Sequence, residues 1–266
     1  MKGRLKIEKT ELKERPIIMG ADSVRAILDG RKTQTRRVIK PRYKQDEYGF
    51  NVVSRPATGE RWVEKADEDG GGFEDGTRIV PCPFGEIGDR LWVRETVFFE
   101  TFHQQSDEEL ERDGFNPNIG VWVYRADNHD YPTITANWTS PMFMSREASR
   151  ITLEITDIRV ERVQDITEEE VIAEGIISDD EYAYRAGEEN LFPCPRCKGY
   201  GVHEAFGYDY GITEVDCTHC NTPKKRYRII WDSLNAKRGY PWENNPWVWV
   251  ISFKQIHNQK EDDKRA

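Results

Sequence analysis

One segment of eight residues, residues 30–37, concentrates side chains that can bind anions or move protons. It contains four cations and two hydroxyls: Arg31, Lys32, Arg36, Arg37, Thr33 and Thr35. A lysine becomes a useful base or nucleophile when burial or neighbouring cations lower its pKa. The three arginines can supply such neighbours, so the segment suits an anionic or nucleotide-like ligand. The residue types alone leave open whether it only binds or also reacts.

A second group of residues has the spacing of a metal site. Two Cys-x-x-Cys pairs, separated by nineteen residues, supply four thiols: Cys194, Cys197, Cys217 and Cys220. Four thiolates complete a tetrahedron around zinc and leave no open position for water, so we predict a structural zinc ion. The alternatives are two disulfides, which a cytoplasmic chain disfavours, or a redox-active Cys-x-x-Cys. The fifth cysteine, Cys82, is expected to be a small buried residue.

The charge distribution points to an anion-binding face on an acidic protein. The chain has 266 residues and a net charge of −9. Residues 1–44 carry 14 Lys and Arg against 5 Asp and Glu, or +9, so the remainder carries −18. Residues 224–238 form a second basic island, whereas residues 176–223 hold 9 acidic and 3 basic residues and suit phosphates poorly. A solvated face is the alternative interpretation of such charge runs.

The composition indicates a soluble protein of the cytoplasm. Hydrophobic residues make up 37% of the chain and charged residues 33%, which favours solubility. The longest apolar run, residues 247–251, is too short to span a bilayer. Residues 1–15 lack the apolar block of a signal peptide. We therefore expect a cytoplasmic location and no membrane partner.

Helices and strands are predicted around the two groups of reactive residues. A helix capped by Asp22 or Ser23 should stop at Gly30, a capping box begins a second helix that ends at Gly175, and a third helix fits residues 224–235. Strand-forming residues are concentrated in four segments: 90–99, 120–125, 150–163 and 247–253. Several strands at irregular spacing, with few helices, predict an α+β fold built on a small β-barrel.

Several of these segments, taken in order, resemble a known family. A helix ending in Gly-x-Lys-Thr-x-Thr-x-Arg, a Gly-Asp turn into a strand, and a capped helix ending in Glu-Gly resemble the ASCH domain of the PUA-like superfamily. The matching segments are 30–37, 88–94, 165–175, 231–235, 238–240 and the closing strand at 246–253. Taken together, these segments make the chain similar to ASCH-like proteins carried by tailed phages and prophages. A phage origin implies that the protein is located in the cytoplasm of the host cell.

The resemblance implies one PUA-like barrel interrupted by insertions. Residues 15–175, with a loop insertion at 41–80, would form the first part of the barrel. Residues 224–256 would add its closing helix and strand, and the zinc knuckle would be inserted between the two parts, over residues 176–223. Two flexible tails are expected, at residues 1–14 and 257–266.

The resemblance also implies a cleft that accepts a nucleoside or RNA. Small bacterial ASCH proteins include amidohydrolases that remove acetyl from acetylated cytidine, and others with reported ribonuclease activity. In the amidohydrolases a lysine and a threonine of the first motif act with a glutamate of the later helix, and these positions fall on Lys32, Thr35 and Glu174. The final arginine of the motif falls on Arg37. This chain departs from the pattern through its insertions, its zinc knuckle and Arg36.

These positions can be given roles on chemical grounds. Thr35 would be the nucleophile or would orient a water molecule, with Lys32 taking the proton. Glu174 would protonate the departing amine or activate that water. Substrate oxygens would be bound by three arginines: Arg36, Arg37 and Arg94.

Each role has a structural alternative. Glu174 could be a solvated acid in the last turn of its helix, and Thr35 could begin a strand. Lys32 could pair with Asp29 at the surface, where an ion pair contributes little. Arg94 could face solvent.

We therefore expect a protein that binds RNA or a modified nucleotide in a cleft lined by Lys32, Thr35, Arg37 and Glu174. An amidohydrolase acting on an acylated nucleobase is the first alternative, ahead of a ribonuclease. The second alternative is a phage-encoded interaction protein that docks a host partner through its zinc insertion.

Overall fold

The computed structural model describes residues 12–40, 51–53, 62–65, 77–80, 82–101, 120–127, 137–178, 194–198, 200–206 and 212–256. Most of the predicted tails and of the insertion at 41–80 lies outside the described residues, as does a large part of the knuckle at 176–223. No helix in the described segments is long and apolar enough to cross a membrane.

Each of the helices and strands expected from the sequence is present in the described part of the chain. The helices there are α1 (Ala21–Leu28), α2 (Glu168–Ala173) and α3 (Pro223–Asn235). The strands are β1 (Glu14–Ile18), β2 (Gln34–Val38), β3 (Asn51–Val53), β4 (Trp62–Lys65), β5 (Thr77–Val80), β6 (Arg90–Arg94), β7 (Val97–Thr101), β8 (Gly120–Tyr124), β9 (Thr152–Arg162), β10 (Val202–Phe206), β11 (Ile212–Asp216) and β12 (Trp247–Ile256). Two boundaries differ from the prediction. Helix α1 begins at Ala21, before its predicted cap, and the segment predicted as one strand is divided into β6 and β7.

The strands form one larger sheet and three small ones. The larger sheet has the order β1-β6-β9-β12-β2, and the others are β3-β4-β5, β7-β8 and β10-β11. Strand β1 runs parallel to β6, whereas β6 with β9 and β12 with β2 are antiparallel. The predicted α+β class is confirmed. The predicted closed barrel is not found among the described strands, because β1 and β2 are the two edges of the five-stranded sheet there.

The chain divides into two compact units, the first of which comprises residues 1–25, 82–156 and 253–266. Its core forms where β6 pairs with β1 on one side and with β9 on the other. Alternate residues of these strands face inward, as expected for a sheet with one covered face. The buried apolar side chains of this unit include Ile17, Leu91, Val93, Leu153 and Ile155.

The second unit, residues 26–81 and 157–252, holds both groups of residues that the sequence singled out. Strand β2 pairs with β12, which places Thr35 opposite Ile251 and Arg37 opposite Trp249. One apolar cluster packs α2 and α3 against strand residues of this unit: Val163, Ile166, Val171, Tyr227, Trp231, Trp242, Val248 and Val250.

Helix α2 is short, and its two ends are fixed by local contacts. The Thr167 hydroxyl accepts from the amide of Glu170 at 3.2 Å, and the Glu170 carboxylate accepts from the amide of Thr167 at 3.0 Å, so the predicted capping box is confirmed. The helix stops at Gly175, whose φ of +89° suits glycine. A six-residue helix is marginal alone and depends on packing. These contacts place Glu174 at the C-cap of α2.

Candidate functional site

Backbone hydrogen bonds fix the cationic segment between α1 and β2. Gly30 has a φ of +73° and donates to the carbonyl of Ile27 at 2.9 Å, which closes the helix. The amide of Lys32 then donates to the carbonyl of Ala26 at 2.8 Å, and the amide of Thr33 donates to the carbonyl of Ala173 at 2.8 Å. The last bond ties this segment to α2. Lys32 is therefore held beside the C-terminus of α2 by main-chain contacts alone.

Lys32 and Glu174 form a buried ion pair. The Lys32 Nζ lies 2.7 Å from Oε2 of Glu174 and also donates to the backbone carbonyl of Glu174. The two side chains are only 4% and 6% exposed. Oε1 of Glu174 is buried too and accepts no hydrogen bond within the described residues. The surface pairing of Lys32 with Asp29 is wrong, because Asp29 accepts instead from Arg31, and the solvated alternative for Glu174 is wrong as well.

Arg36 adds a third buried charge to the ion pair. Its side chain is fully buried, and its NH1 atom lies 3.6 Å from Oε1 of Glu174. The guanidinium donates to Gln34 Oε1 at 2.6 Å, to Glu170 Oε2 at 2.8 Å and to Glu161 Oε2 at 3.2 Å. The structure therefore commits Arg36 to acceptors of the protein. Its predicted contact with substrate remains a prediction.

Burial is the main cause of the pKa shifts at this site. Burial lowers the pKa of Lys32, and the positive charges of Arg37 and Arg36 lower it further, whereas the carboxylate of Glu174 partly opposes the shift. Burial likewise lowers the pKa of Arg37. A buried lysine whose pKa is depressed beside a carboxylate makes the pair a candidate functional site, although structural ion-pair networks shift pKa values as well. The site can therefore both donate hydrogen bonds and take up a proton.

Tyr227 is a neighbour of the site that the sequence did not identify. It lies in α3, and its pKa is raised well above the usual value by burial first and then by the negative charge of Glu174. Arg36 and Arg37 partly oppose this shift. Tyr227 belongs to the apolar cluster that packs α2 and α3 against strand residues of this unit. The sequence marks this segment as a predicted helix over residues 224–235 and as part of the basic island at 224–238.

Thr35 and Arg37 lie on the other face of β2 from Arg36. Arg36 and Gln34 share a hydrogen bond and lie on the same face of β2. Because side chains alternate between the two faces of a strand, Thr35 and Arg37 lie on the opposite face. Thr35 is buried, and in the described part of the chain its hydroxyl bonds to neither Lys32 nor Glu174. The structure thus brings Lys32 and Glu174 together and leaves the Thr35 hydroxyl without a direct bond to them.

Arg94 belongs to the first unit, in β6. Its guanidinium donates to the carbonyls of Met142 and Met144, the latter at 3.0 Å, and lies 5.2 Å from the ring centre of Trp92. Arg94 lies on the partly exposed face of β6, opposite the buried side chains of Leu91 and Val93, so the alternative that it faces solvent is compatible with the structure. Its contacts fasten a loop to the sheet, and its predicted role in binding substrate remains a prediction.

The four cysteines of the two Cys-x-x-Cys pairs, hereafter the metal-site cysteines, are arranged as the ligands of one metal ion. All are buried, and their sulfur atoms lie within 4.8 Å of one another. The Sγ atoms of Cys194 and Cys217 are 3.7 Å apart, and those of Cys197 and Cys220 are 3.5 Å apart. Ligands about 2.3 Å from a tetrahedral zinc ion lie roughly 3.8 Å from each other. The geometry and the thiol donors therefore fit a metal ion.

Comparison with known proteins leaves the family unassigned: no family model, no curated protein and no solved structure matches the chain. The contacts, burial and charges of the two sites are thus the grounds on which a function can be inferred.

Proposed function

We propose that this chain is an ASCH-like protein with a PUA-like fold and that it binds RNA or a modified nucleotide at the Lys32–Glu174 pair. The observation that carries the proposal is the burial of this pair. Taking two charges out of water costs about as much as their attraction returns, so a buried ion pair is a poor device for stability alone. A binding function that uses both charges accounts for the presence of this buried pair better than a contribution to stability does.

The pair offers complementary groups to the edge of a nucleobase. Glu174 Oε1 is buried, accepts no hydrogen bond within the described residues and lies 3.6 Å from Arg36 NH1. It can accept an N–H group of a ligand only if the buried site opens to admit that ligand. Lys32 can donate to a carbonyl oxygen or a ring nitrogen. Cytosine and adenine each present these two kinds of group side by side, as an exocyclic amino group next to a ring acceptor, and the resemblance to ASCH amidohydrolases of acetylated cytidine favours cytosine. We infer that the ligand is a cytidine-like nucleoside, free or within RNA, and that Arg37 binds its sugar or phosphate oxygens.

Titration calorimetry with cytidine, N4-acetylcytidine and uridine tests this proposal. Lys32→Met and Glu174→Gln should each weaken binding of the preferred nucleoside by about 10- to 100-fold, since each removes a hydrogen bond to a charged group. The matched control is Lys254→Met, a cation of the first unit that is 60% exposed. It should leave the affinity unchanged. Absence of binding to any of these nucleosides and to a short cytidine-rich RNA would reject the proposal.

Hydrolysis of an amide on the base is a second candidate, favoured by the lowered pKa of Lys32. A lysine of depressed pKa can take a proton from an attacking water, and Glu174 can protonate the departing amine. Because the Thr35 hydroxyl does not bond to Lys32, water is the better nucleophile in this arrangement. Wild-type protein should release acetate from N4-acetylcytidine, and Lys32→Met should lower the rate by about 10²- to 10⁴-fold. Binding of acetylated cytidine without any acetate release would leave only the binding function.

For the metal site, we propose zinc in a structural role. Four thiolates prefer zinc over harder cations and leave no position for a reacting water. Metal analysis of protein purified without chelators should give one zinc per chain. Less than half an equivalent, or iron in its place, would contradict the assignment.

A further inference from the structure

One buried arginine connects the metal site to the segment that carries Glu174. Arg226 lies in the first turn of α3 and is only 1% exposed. Its NH1 atom donates to the carbonyl of Cys220 at 3.0 Å, and its NH2 atom donates to the carbonyl of Ile177 at 3.1 Å. The first carbonyl belongs to a metal-site cysteine, and the second lies three residues after Glu174.

The backbone between Glu174 and Ile177 has little room to move independently. Lys32 donates to the carbonyl of Glu174, and Arg31 donates to the carbonyl of Gly175 at 3.2 Å. Gly175 packs so closely that an added Cβ would lie 3.1 Å from the Cβ of Lys32. Only Gly175 and Ile176 separate Ile177 from Glu174, so a displacement of Ile177 has a short path along the backbone to the Glu174 carboxylate.

The metal site in turn determines where Arg226 and Ile177 lie. The metal-site cysteines pack in one cluster with Ile177, Ile229 and Ile230. Thr222, two residues after the last of these cysteines, caps α3 by accepting from the amide of Lys225 at 3.3 Å. The metal ion is the natural means of holding these thiols together, because a small cysteine-rich segment has little core of its own.

We propose that Arg226 is a positioning residue that couples the metal site to the Lys32–Glu174 pair. Loss of the metal, or of the Arg226 guanidinium, releases Ile177 and lets the Glu174 carboxylate move away from Lys32. The functional meaning of this coupling rests on the proposed function, but the coupling itself can be measured without any ligand.

Two measurements on the full chain test the coupling. The first is hydrogen exchange in residues 171–178. The second is the pKa of the Lys32 amine, followed by NMR of ¹⁵N-labelled lysine and assigned by its absence in Lys32→Met. Burial is the largest cause of the lowered pKa of Lys32, and the charge of Glu174 and its hydrogen bond to Lys32 oppose it. Moving the carboxylate away from an amine that stays buried should therefore lower that pKa further. Exchange should become at least about tenfold faster, as expected when a local hydrogen bond no longer protects the segment.

The variants are chosen so that metal loss and guanidinium loss can be separated. Arg226→Met should retain about one metal per chain and still show both changes, and Arg226→Lys should give intermediate values because it keeps one donor. The matched control is Arg228→Met, two residues along the same helix, where the arginine is half-exposed and pairs with Glu243. It should change neither measurement. Unchanged exchange and an unchanged Lys32 pKa in metal-bound Arg226→Met would overturn the proposal.

Wild-type protein treated with a chelator provides an independent route if Arg226→Met does not fold or does not hold metal. Removal of the metal should accelerate exchange in 171–178 and lower the pKa of Lys32 as in the variant. If exchange increases only in residues 194–220, the metal site acts locally and the proposal is wrong. Failure of every nucleoside to bind would reject the proposed function but would move neither of these measurements.

Discussion

Replacing Lys32 with methionine should destabilise the protein more than a typical single substitution, because it leaves a carboxylate without its counter-ion in the interior. Methionine has nearly the length of the lysine stem and is flexible enough to fill the same space. The substitution therefore removes the ammonium group while keeping most of the apolar packing. The Glu174 carboxylate therefore loses its counter-ion while the packing around it stays nearly the same.

The size of the effect follows from the contacts of the Lys32 amine. It donates to two acceptors, Oε2 and the backbone carbonyl of Glu174. Each buried acceptor left without a partner costs about 1–3 kcal/mol, and removing one partner of a buried ion pair costs about 3–5 kcal/mol. Arg36 lies 3.6 Å from the other carboxylate oxygen and offsets part of this loss. We therefore expect the free energy of unfolding to fall by about 3 kcal/mol.

The double variant Lys32→Met/Glu174→Leu separates charge from packing. It removes both charges, and replacing a whole buried pair with apolar residues is often neutral or stabilising. Its free energy of unfolding should recover part of the loss and lie within about 2 kcal/mol of the wild-type value, since the backbone carbonyl of residue 174 still lacks the Lys32 donor. It should nevertheless fail to bind cytidine-like nucleosides, since neither the donor nor the acceptor remains.

Urea denaturation followed by tryptophan fluorescence measures all of these values on one scale, with Lys254→Met as the exposed control. That control should change the free energy of unfolding by less than about 0.5 kcal/mol. A loss below about 1 kcal/mol in Lys32→Met would mean that the amine is hydrated and the pair is not buried. A double variant as unstable as the single one would mean that packing, and not charge, causes the loss.

Three further predictions concern glycine geometry and thiol chemistry. Gly175→Ala should cost about 2 kcal/mol or more in urea denaturation, because its φ is +89° and the new Cβ would lie 2.8 Å from that of Ala26. Gly239→Ala, with the same φ and no atom within 4 Å, should cost only about 1 kcal/mol, and equal losses would contradict the close packing of Gly175. Cys82 was expected to be buried but is half-buried. Burial raises its pKa to about 11, so it should react slowly with iodoacetamide at pH 8 and faster as the pH approaches 11; fast reaction at pH 8 would argue against the raised pKa. Chelation should add four thiols to a titration with a disulfide reagent, and four reactive thiols before chelation would exclude a bound metal.

The parts of the structure that sequence predicted well depend on short-range contacts. The capping box of Thr167 and Glu170 spans four residues and needs no tertiary information. The metal-site cysteines come in pairs whose spacing already restricts where each thiol can lie. Both arrangements could therefore be anticipated from residue types and separations alone.

The candidate site depends on contacts that no local pattern reveals. Lys32 and Glu174 are 142 residues apart in sequence, and only the resemblance to ASCH domains paired them. Judged by its position, Glu174 would be a solvated residue in the last turn of a helix. Arg36 was expected to meet substrate, yet the strand turns it toward Gln34, Glu161 and Glu170. The neighbours of a strand residue depend on which helix or strand packs against its face of the sheet. That packing partner cannot be read from the spacing of residues along the sequence.

The backbone that positions the ion pair does not depend on the charges of the pair. The amide of Lys32 bonds to Ala26 and the amide of Thr33 bonds to Ala173, so main-chain groups join α1, the cationic segment and α2. Substitution of the Lys32 or Glu174 side chain leaves these bonds in place. A variant without the charges should then keep the same local backbone, and any loss of ligand binding can be assigned to the missing groups. If the proposed function is right, the pair serves ligand binding on a scaffold whose main-chain contacts would persist without it.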